Sequence, residues 1–179
     1  ANGVIMITTK KGKEGQGRLS LTANFSMQHA MNIPNLLNAS QYAALSNDMM
    51  NNSGRNANPE WEDPSVIKKS TDWMDELLRS GFMQNYTVSY SGGSDKAHYY
   101  ISGGLLDQSG IVRSVSYRRY TFQANSDAQV LKWLKFTDNI AISADEHKEG
   151  IYDIGSTMKA LPVFAVKDDN GNWTGPEGN

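Results

Sequence analysis

Apolar and polar side chains alternate with a period of two residues along several stretches of the chain. The clearest example runs from 83 to 107, where two alternating segments flank a Gly-Gly-Ser-Asp turn at 92–95. In the first segment Tyr86, Val88 and Tyr90 share one face, and the positions between them are Thr and Ser. Because successive side chains of a strand point to opposite faces, the pattern predicts a β-hairpin with one apolar and one polar face.

The same alternation predicts further strands on either side of this hairpin. An earlier strand is expected at 18–30, and its apolar face carries Leu19, Leu21, Ala23, Phe25 and Met27. Two later strands are expected at 117–126 and 134–145, and Asp138 interrupts the apolar face of the last one. Counting both arms of the hairpin, the pattern predicts about five antiparallel strands.

Two long segments without this alternation carry helical signals. In the segment 31–81, Asn38 precedes a helical pattern and Gln41 follows three residues later, which predicts a capping box. A second short helix is expected to start at 71 or 72 and to end at Gly81, and in the segment 150–179 Asp153 is expected to cap a third that stops at Pro162. A connection of about 50 residues between strands is unusual, and such long loops are commonly functional.

The predicted connections differ strongly between the two ends of the sheet. Tight turns are expected at 92–95 and 127–132, whereas the two long segments and a loop at 109–116 lie at the opposite end. This layout is typical of an outer-membrane barrel.

Aromatic residues are expected at both ends of the sheet, as in the two belts that membrane proteins place at the lipid–water interfaces. Those near the long loops are Phe82, Tyr117 and Tyr120, and those near the short turns are Tyr90, Tyr99 and Trp133. A soluble sheet packed on a protein core shows the same alternation, so the pattern leaves both interpretations open.

Composition narrows the choice of partner. The 179 residues carry a net charge of −2, with 20% charged and 39% hydrophobic residues, and no concentrated basic patch that would predict nucleic-acid binding. The chain has no cysteine and therefore no disulfide. The sequence has no run of about 18 apolar residues, so it predicts no membrane-spanning helix. The abrupt first residues and the Gly/Asn/Pro-rich last ten predict a piece of a longer protein.

An ordered set of short motifs runs through most of the chain. It comprises Ala1–Gly12 (ANGVIMITTKKG), Ile33–Ala39 (IPNLLNA), Asp72-Trp73, Met83–Asn85, Ser89–Ile111 with its Ser91–Ser94 turn, Tyr117–Tyr120 (YRRY) and Lys132–Lys135 (KWLK). With these motifs the chain resembles the SusC/RagA family of TonB-linked outer-membrane transporters. Each motif alone is weak, and the specificity lies in their order.

The resemblance implies a fold, a location and partners. Residues 1–13 would end a plug domain, and 14–179 would begin a transmembrane, antiparallel up-and-down β-barrel of about 22 strands. About five of its strands lie in this chain, with helical outer loops at about 31–81 and 150–179. The protein would import an oligosaccharide or oligopeptide across the bacterial outer membrane, capped by a SusD-like lipoprotein and energised by TonB through a segment that this chain does not contain. The alternative is a soluble secreted β-rich binding or adhesion module.

The residues indicate binding rather than catalysis. No Ser/His/Asp spacing predicts an enzyme, and no cofactor motif is present. Asp145, His147 and Glu149 would share a strand face and have metal-binding side chains, although a solvated strand end is the preferred interpretation. Trp61 and Trp73, in the first long loop, are the candidate contacts to a ligand or partner, with packing inside the loop as the alternative, which the helical spacing favours for Trp73.

Overall fold

A computed structural model describes residues 3–4, 10, 12–63, 65, 67 and 69–174. The chain divides into two compact units, one of residues 1–29 and 80–150 and the other of residues 30–79 and 151–179. We call the first the sheet unit and the second the loop unit. In the described part of the chain, no helix is both long enough and apolar enough to cross a membrane. The β-branched apolar run at 3–11 also predicts a buried strand, and this segment lies mostly outside the described residues.

The described residues of the sheet unit form a five-stranded antiparallel sheet whose strands follow chain order. The strands are β1 (Gly15–Gln28), β2 (Gly81–Gly93), β3 (Ala97–Ser109), β4 (Ser116–Leu131) and β5 (Leu134–Lys148). All neighbouring strands are antiparallel, so the tight connections 94–96 and 132–133 meet at one end. We call this the short-turn end, and the opposite end the long-loop end.

The register confirms the predicted division into two faces. Val88 of β2 lies between Leu21 of β1 and Gly103 of β3, and its neighbour Thr87 lies between Thr22 and Gly104. Since cross-strand partners project from the same side of a sheet, the apolar positions of all five strands lie on one face.

One predicted turn is wrong. Residues 127–131 continue β4 instead of forming a turn, and only Lys132 and Trp133 connect β4 to β5. Gln129 pairs with Lys135, and its side-chain Nε2 donates to the carbonyl of Leu131 at 2.6 Å. This side-chain bond stabilises a two-residue connection that carries none of the Gly or Asn residues typical of tight turns.

Among its described residues, the loop unit contains three short helices and one 3₁₀ turn. These are α1 (Ala39–Asn52), the turn Pro59–Trp61, α2 (Trp73–Leu77) and α3 (Ile154–Lys159). The capping box of Asn38 and Gln41 is confirmed, as is the capping of α3 by Asp153. Helix α2 starts as predicted after Asp72, but it ends at Leu77 rather than at Gly81. Leu78 is already extended, and Gly81 begins β2.

Hydrogen bonds and small buried residues hold the loop unit together. Ala39 and Ala43 of α1 are completely buried. Asn47 is 8% exposed, and its amide both donates to the backbone oxygen of Asn58 and accepts from the backbone nitrogen of the same residue, at 3.2 and 2.9 Å. The two segments of the unit are joined where the amide of Thr71 donates to the carbonyl of Pro162 at 2.9 Å.

Candidate functional site

The apolar face of the sheet carries many large side chains that are exposed. Three successive cross-strand rows on this face contain only apolar residues, glycine and tyrosine. From the short-turn end they are Leu19, Tyr90, Ile101, Ala124 and Ile140; Leu21, Val88, Gly103, Phe122 and Ile142; and Ala23, Tyr86, Leu105, Tyr120 and Ala144. We call these rows the apolar band. Large side chains within it remain open, with Leu19 71%, Val88 47% and Ile142 60% exposed.

Rows that contain charged residues border the apolar band on both sides. Toward the long loops, the next row places Arg118 of β4 beside Asp107 of β3, with Nη2 and Nε of the arginine donating to Oδ2 of the carboxylate at 2.7 and 2.9 Å. Toward the short turns, the next row pairs Asp138 with Ser126. Asp138 therefore lies just outside the band, which accounts for its place on an otherwise apolar strand face.

Aromatic rings gather at both edges of the band. At the long-loop end, Phe25 stacks on Phe82 with 6.2 Å between ring centroids and meets Tyr86 edge-on at 5.7 Å. At the short-turn end, Tyr90 and Tyr99 lie 5.6 Å apart. One predicted belt residue is on the wrong face, because Tyr117 pairs with His147 on the polar side and its ring contacts the imidazole edge-on at 5.9 Å.

The polar face is partly covered near the short-turn end. Asn125 is 4% exposed, and its Nδ2 donates to the backbone carbonyl of Lys10 at 2.7 Å. Asp127, two residues further along β4, is 8% exposed and lies 3.1 Å from Nζ of Lys135 and 3.4 Å from Nδ1 of His98. A buried carboxylate needs such partners, because burial without them disfavours its charged form.

A cavity of about 440 Å³ lies in the loop unit, and Trp73 is part of its wall. The indole Nε1 of Trp73 donates to the carbonyl of Leu161 at 2.9 Å, so the ring connects α2 to the residues that follow α3. The lining also includes Leu36, Leu37, Tyr42, Lys159 and Pro162. The cavity combines apolar side chains with several polar groups, as many ligand pockets do.

Trp61 occupies a different position from Trp73. It lies in the 3₁₀ turn and packs edge-on against Tyr42 of α1 with 5.9 Å between ring centroids. Tyr42 also borders the cavity, so the two candidate tryptophans are linked through one tyrosine although Trp61 is not part of the lining.

Two carboxylates of the loop unit, Asp153 and Asp168, accept hydrogen bonds from residues that follow them closely in the chain. The Asp153 carboxylate accepts from the hydroxyl of Ser156 at 2.6 Å and from the amide of Gly155 at 2.9 Å, and these bonds hold its pKa below the ordinary value. The Asp168 carboxylate accepts from the side chain and amide of Asn172 and the amide of Asn170, and its pKa is lowered for the same reason.

The candidate metal set at the end of β5 is not assembled. His147 lies 3.4 Å from Glu149, while Asp145 pairs across the sheet with Arg119. Across the described ranges, no three His, Cys, Asp or Glu side chains are grouped so that they could hold a metal ion.

Comparison with known proteins identifies the family. No family model matches the chain. TonB-dependent receptor P3 of Formosa agariphila is 35% identical over 185 residues, which cover 97% of this chain and 17% of the relative. TonB-dependent receptor SusC of Bacteroides thetaiotaomicron is 33% identical over 129 residues, covering 70% of this chain and 12% of that protein. The chain is a SusC/RagA-like TonB-dependent receptor segment.

Solved structures agree with this SusC/RagA-like identity at the level of the fold. A structure of the RagAB peptide transporter superposes with a TM-score of 0.66 at 21% identity, covering 93% of this chain and 23% of that one. A structure of the RagAB peptide importer in its open-open state gives a TM-score of 0.72 at 22% identity. The SusC/RagA-like chain thus spans about a sixth of the length of P3, about an eighth of the length of SusC and under a quarter of the solved transporter chains.

Proposed function

We propose that the five strands form part of the wall of an outer-membrane nutrient importer. In this proposal the apolar band faces lipid and the polar face borders the lumen of a barrel. The observation that carries it is the continuity of the band, which has three rows across five strands, many exposed large side chains, and bordering rows that contain charged residues. Membrane barrels present such a band, about 25 Å tall, between aromatic girdles.

The proposed wall assigns a place to each remaining segment. Residues 1–13 end a plug inside the barrel, and the wall begins at residue 14. Segments 31–81 and 150–179 are outer loops, on the side where a SusD-like lipoprotein caps the barrel. TonB supplies energy through a plug segment outside this chain. These assignments rest on similarity to SusC-type receptors and on the connection of both segments to the long-loop end.

The transported molecule is an oligosaccharide or an oligopeptide. Similarity to SusC and to RagAB supports this class, because the latter is named a peptide transporter. In the loop unit, Trp73 and Tyr42 line the 440 Å³ cavity, and Trp61 packs against Tyr42. We assign Trp73, and Trp61 through Tyr42, to contact with this molecule or with the lipoprotein. Aromatic rings suit either role, since they offer a large apolar area with a polar edge.

Cysteine scanning along β4 in a cysteine-free version of the full-length protein tests the wall. Single cysteines at 120, 121, 122 and 123 in intact outer membranes are treated with a lipid-soluble or a water-soluble maleimide. We expect positions 120 and 122 to react with the first reagent, and 121 and 123 with the second. Labelling without this alternation, or recovery of the full-length protein in a soluble secreted fraction, would instead favour the adhesion module.

A further inference from the structure

The segment that leads into β1 crosses the polar face at the short-turn end. One cross-strand row of this face consists of Arg18, Ser91, Tyr100, Asn125 and Asn139. Lys10 and Lys13 line a cavity of about 390 Å³ together with Ser91 and Tyr100 of this row, and Lys10 also meets Asn125. The described residues of the segment 10–13 therefore follow this row from β4 back to β1.

The contact between Asn125 and Lys10 is a part-buried bond between a side chain and the backbone. Its donor, Nδ2 of Asn125, lies 2.7 Å from the carbonyl oxygen, and Asn125 is the least exposed polar residue among those described as buried. Because the acceptor belongs to the backbone, the bond fixes the path of the chain whatever side chain stands at position 10. Because Asn125 itself is buried, the loss of this partner costs its amide more than it would cost an exposed amide.

Gly12 shows how closely the segment approaches the sheet. A Cβ added there would stand closer than 3.0 Å to the backbone oxygen of Gly92 and to the backbone nitrogen and oxygen of Tyr99. Backbone atoms of paired strands cannot move aside as a flexible side chain can. Only glycine allows the segment to lie against β2 and β3 at this point.

We propose that Asn125 is a positioning residue that fixes the incoming chain to the sheet at Lys10. Any rearrangement of the residues before Lys10 then stops there and does not reach β1. This role rests on the proposed function, in which those residues end a plug that must move during import. The anchor would place the boundary between the movable plug and the fixed wall at Lys10, shortly before the wall begins at residue 14.

Trypsin cleavage of the full-length protein in outer membranes measures whether the segment is held. Cleavage after Lys10 and Lys13 needs the segment to leave the polar face, so its rate follows the open population. Asn125→Asp keeps the shape of the side chain, but its carboxylate has no N–H to donate and faces the carbonyl oxygen of Lys10. We therefore expect cleavage there to be at least about fivefold faster, which is the effect of one lost hydrogen bond. Asn125→Gln retains the donor and should recover most of the protection.

Gln123→Ala is the matched control, because Gln123 lies one row away on the same face of β4. We expect this variant to be cleaved at the wild-type rate. Gly12→Ala tests the contact from the other side, leaves β4 unchanged and should also speed cleavage. If Asn125→Asp does not reach the membrane, the cleavage rate of Gly12→Ala shows whether the segment is held against the sheet.

Two results would overturn the anchor while leaving the importer intact. One is a wild-type cleavage rate in Asn125→Asp, or in Gly12→Ala if the former does not assemble. The other is an equal rise in Gln123→Ala, which would show a general loosening of β4. The importer proposal itself is contradicted by a different measurement, namely recovery of the full-length protein in the soluble secreted fraction.

Discussion

The ring of Tyr90 on β2 lies across the backbone of Gly17 on β1. A Cβ at Gly17 would overlap the phenol oxygen and two ring carbons of that tyrosine. Tyr99 of β3 covers Gly92 of β2 in the same way, and the two rings lie 5.6 Å apart. At the short-turn end, each tyrosine thus fills the space that the preceding strand leaves open, which resembles the pairing of aromatic residues with strand glycines.

Substitution of either covered glycine should destabilise the sheet. In Gly17→Ala or Gly92→Ala the tyrosine must leave its place, and we expect a loss of about 1–3 kcal/mol, as for other overpacked sites. Urea unfolding of the full-length protein in lipid vesicles measures this. Gly103→Ala is the control, because the nearest atom to its added Cβ is 4.0 Å away. Equal effects at all three positions would contradict the tyrosine contact.

A charge in the centre of the apolar band should impair assembly. Ile142 belongs to the middle row of the band, so Ile142→Arg should cost about 2–4 kcal/mol if this row lies at the bilayer midplane. Its neighbour Ser143 lies on the polar face, and Ser143→Arg should assemble near the wild-type level. The heat-modifiable fraction in outer-membrane preparations reports assembly. Normal assembly of Ile142→Arg would argue against a lipid-facing band.

Loss of the indole N–H of Trp73 should loosen the loop unit. Trp73→Phe keeps an aromatic ring but leaves the carbonyl of Leu161 without its donor, at a cost of about 1 kcal/mol. We expect faster amide exchange around 157–164 in the full-length protein. Trp61→Phe is the comparison, since its ring contact with Tyr42 survives the change. If both variants exchange alike, the Trp73 bond does not hold these segments.

The turn at Asp168 should weaken only in acid. Its folded pKa is lowered by the bond from the Asn172 side chain and by backbone N–H groups, so the turn gains stability above the ordinary aspartate pKa of about 3.9. That stability is lost as the pH falls through the lower folded pKa. Selective ¹³C labelling of aspartate gives the titration midpoint of Asp168, which should rise toward the ordinary value in Asn172→Ala. A wild-type midpoint at or above about 3.9 would contradict the bonds.

Alternation was sufficient to predict the strands and their faces, because a period of two leaves no freedom once pairing starts. Alternation alone could not predict the residue at which each strand ends. Only Asp127 and Gln129 are polar in the stretch 127–131, which was predicted to belong to a turn. These residues extend β4 because β5 continues opposite them. Likewise, the position of Asp138 outside the apolar band follows from its partner Ser126, which no local pattern reveals.

Glycine and asparagine were harder to interpret from sequence alone. Gly81 resembles a helix C-terminus, but its added Cβ would meet the backbone oxygen of Ser109 at 2.5 Å, so the residue serves close packing of strands. Asn125 is one of several small polar residues on its face, and its acceptor lies 115 residues earlier in the chain. Caps such as Asn38 were predictable because both partners are neighbours in sequence.

The linkage of Thr71 and Trp73 to residues 161–164 has a consequence for biogenesis. The two halves of the loop unit are separated by the whole of β2–β5, so neither half meets its mate until that stretch has been synthesised. Closure over such a sequence distance is entropically expensive and slow unless the intervening chain is already ordered. We therefore expect the contacts of the loop unit to form last, after the strands have paired and brought its two segments close together.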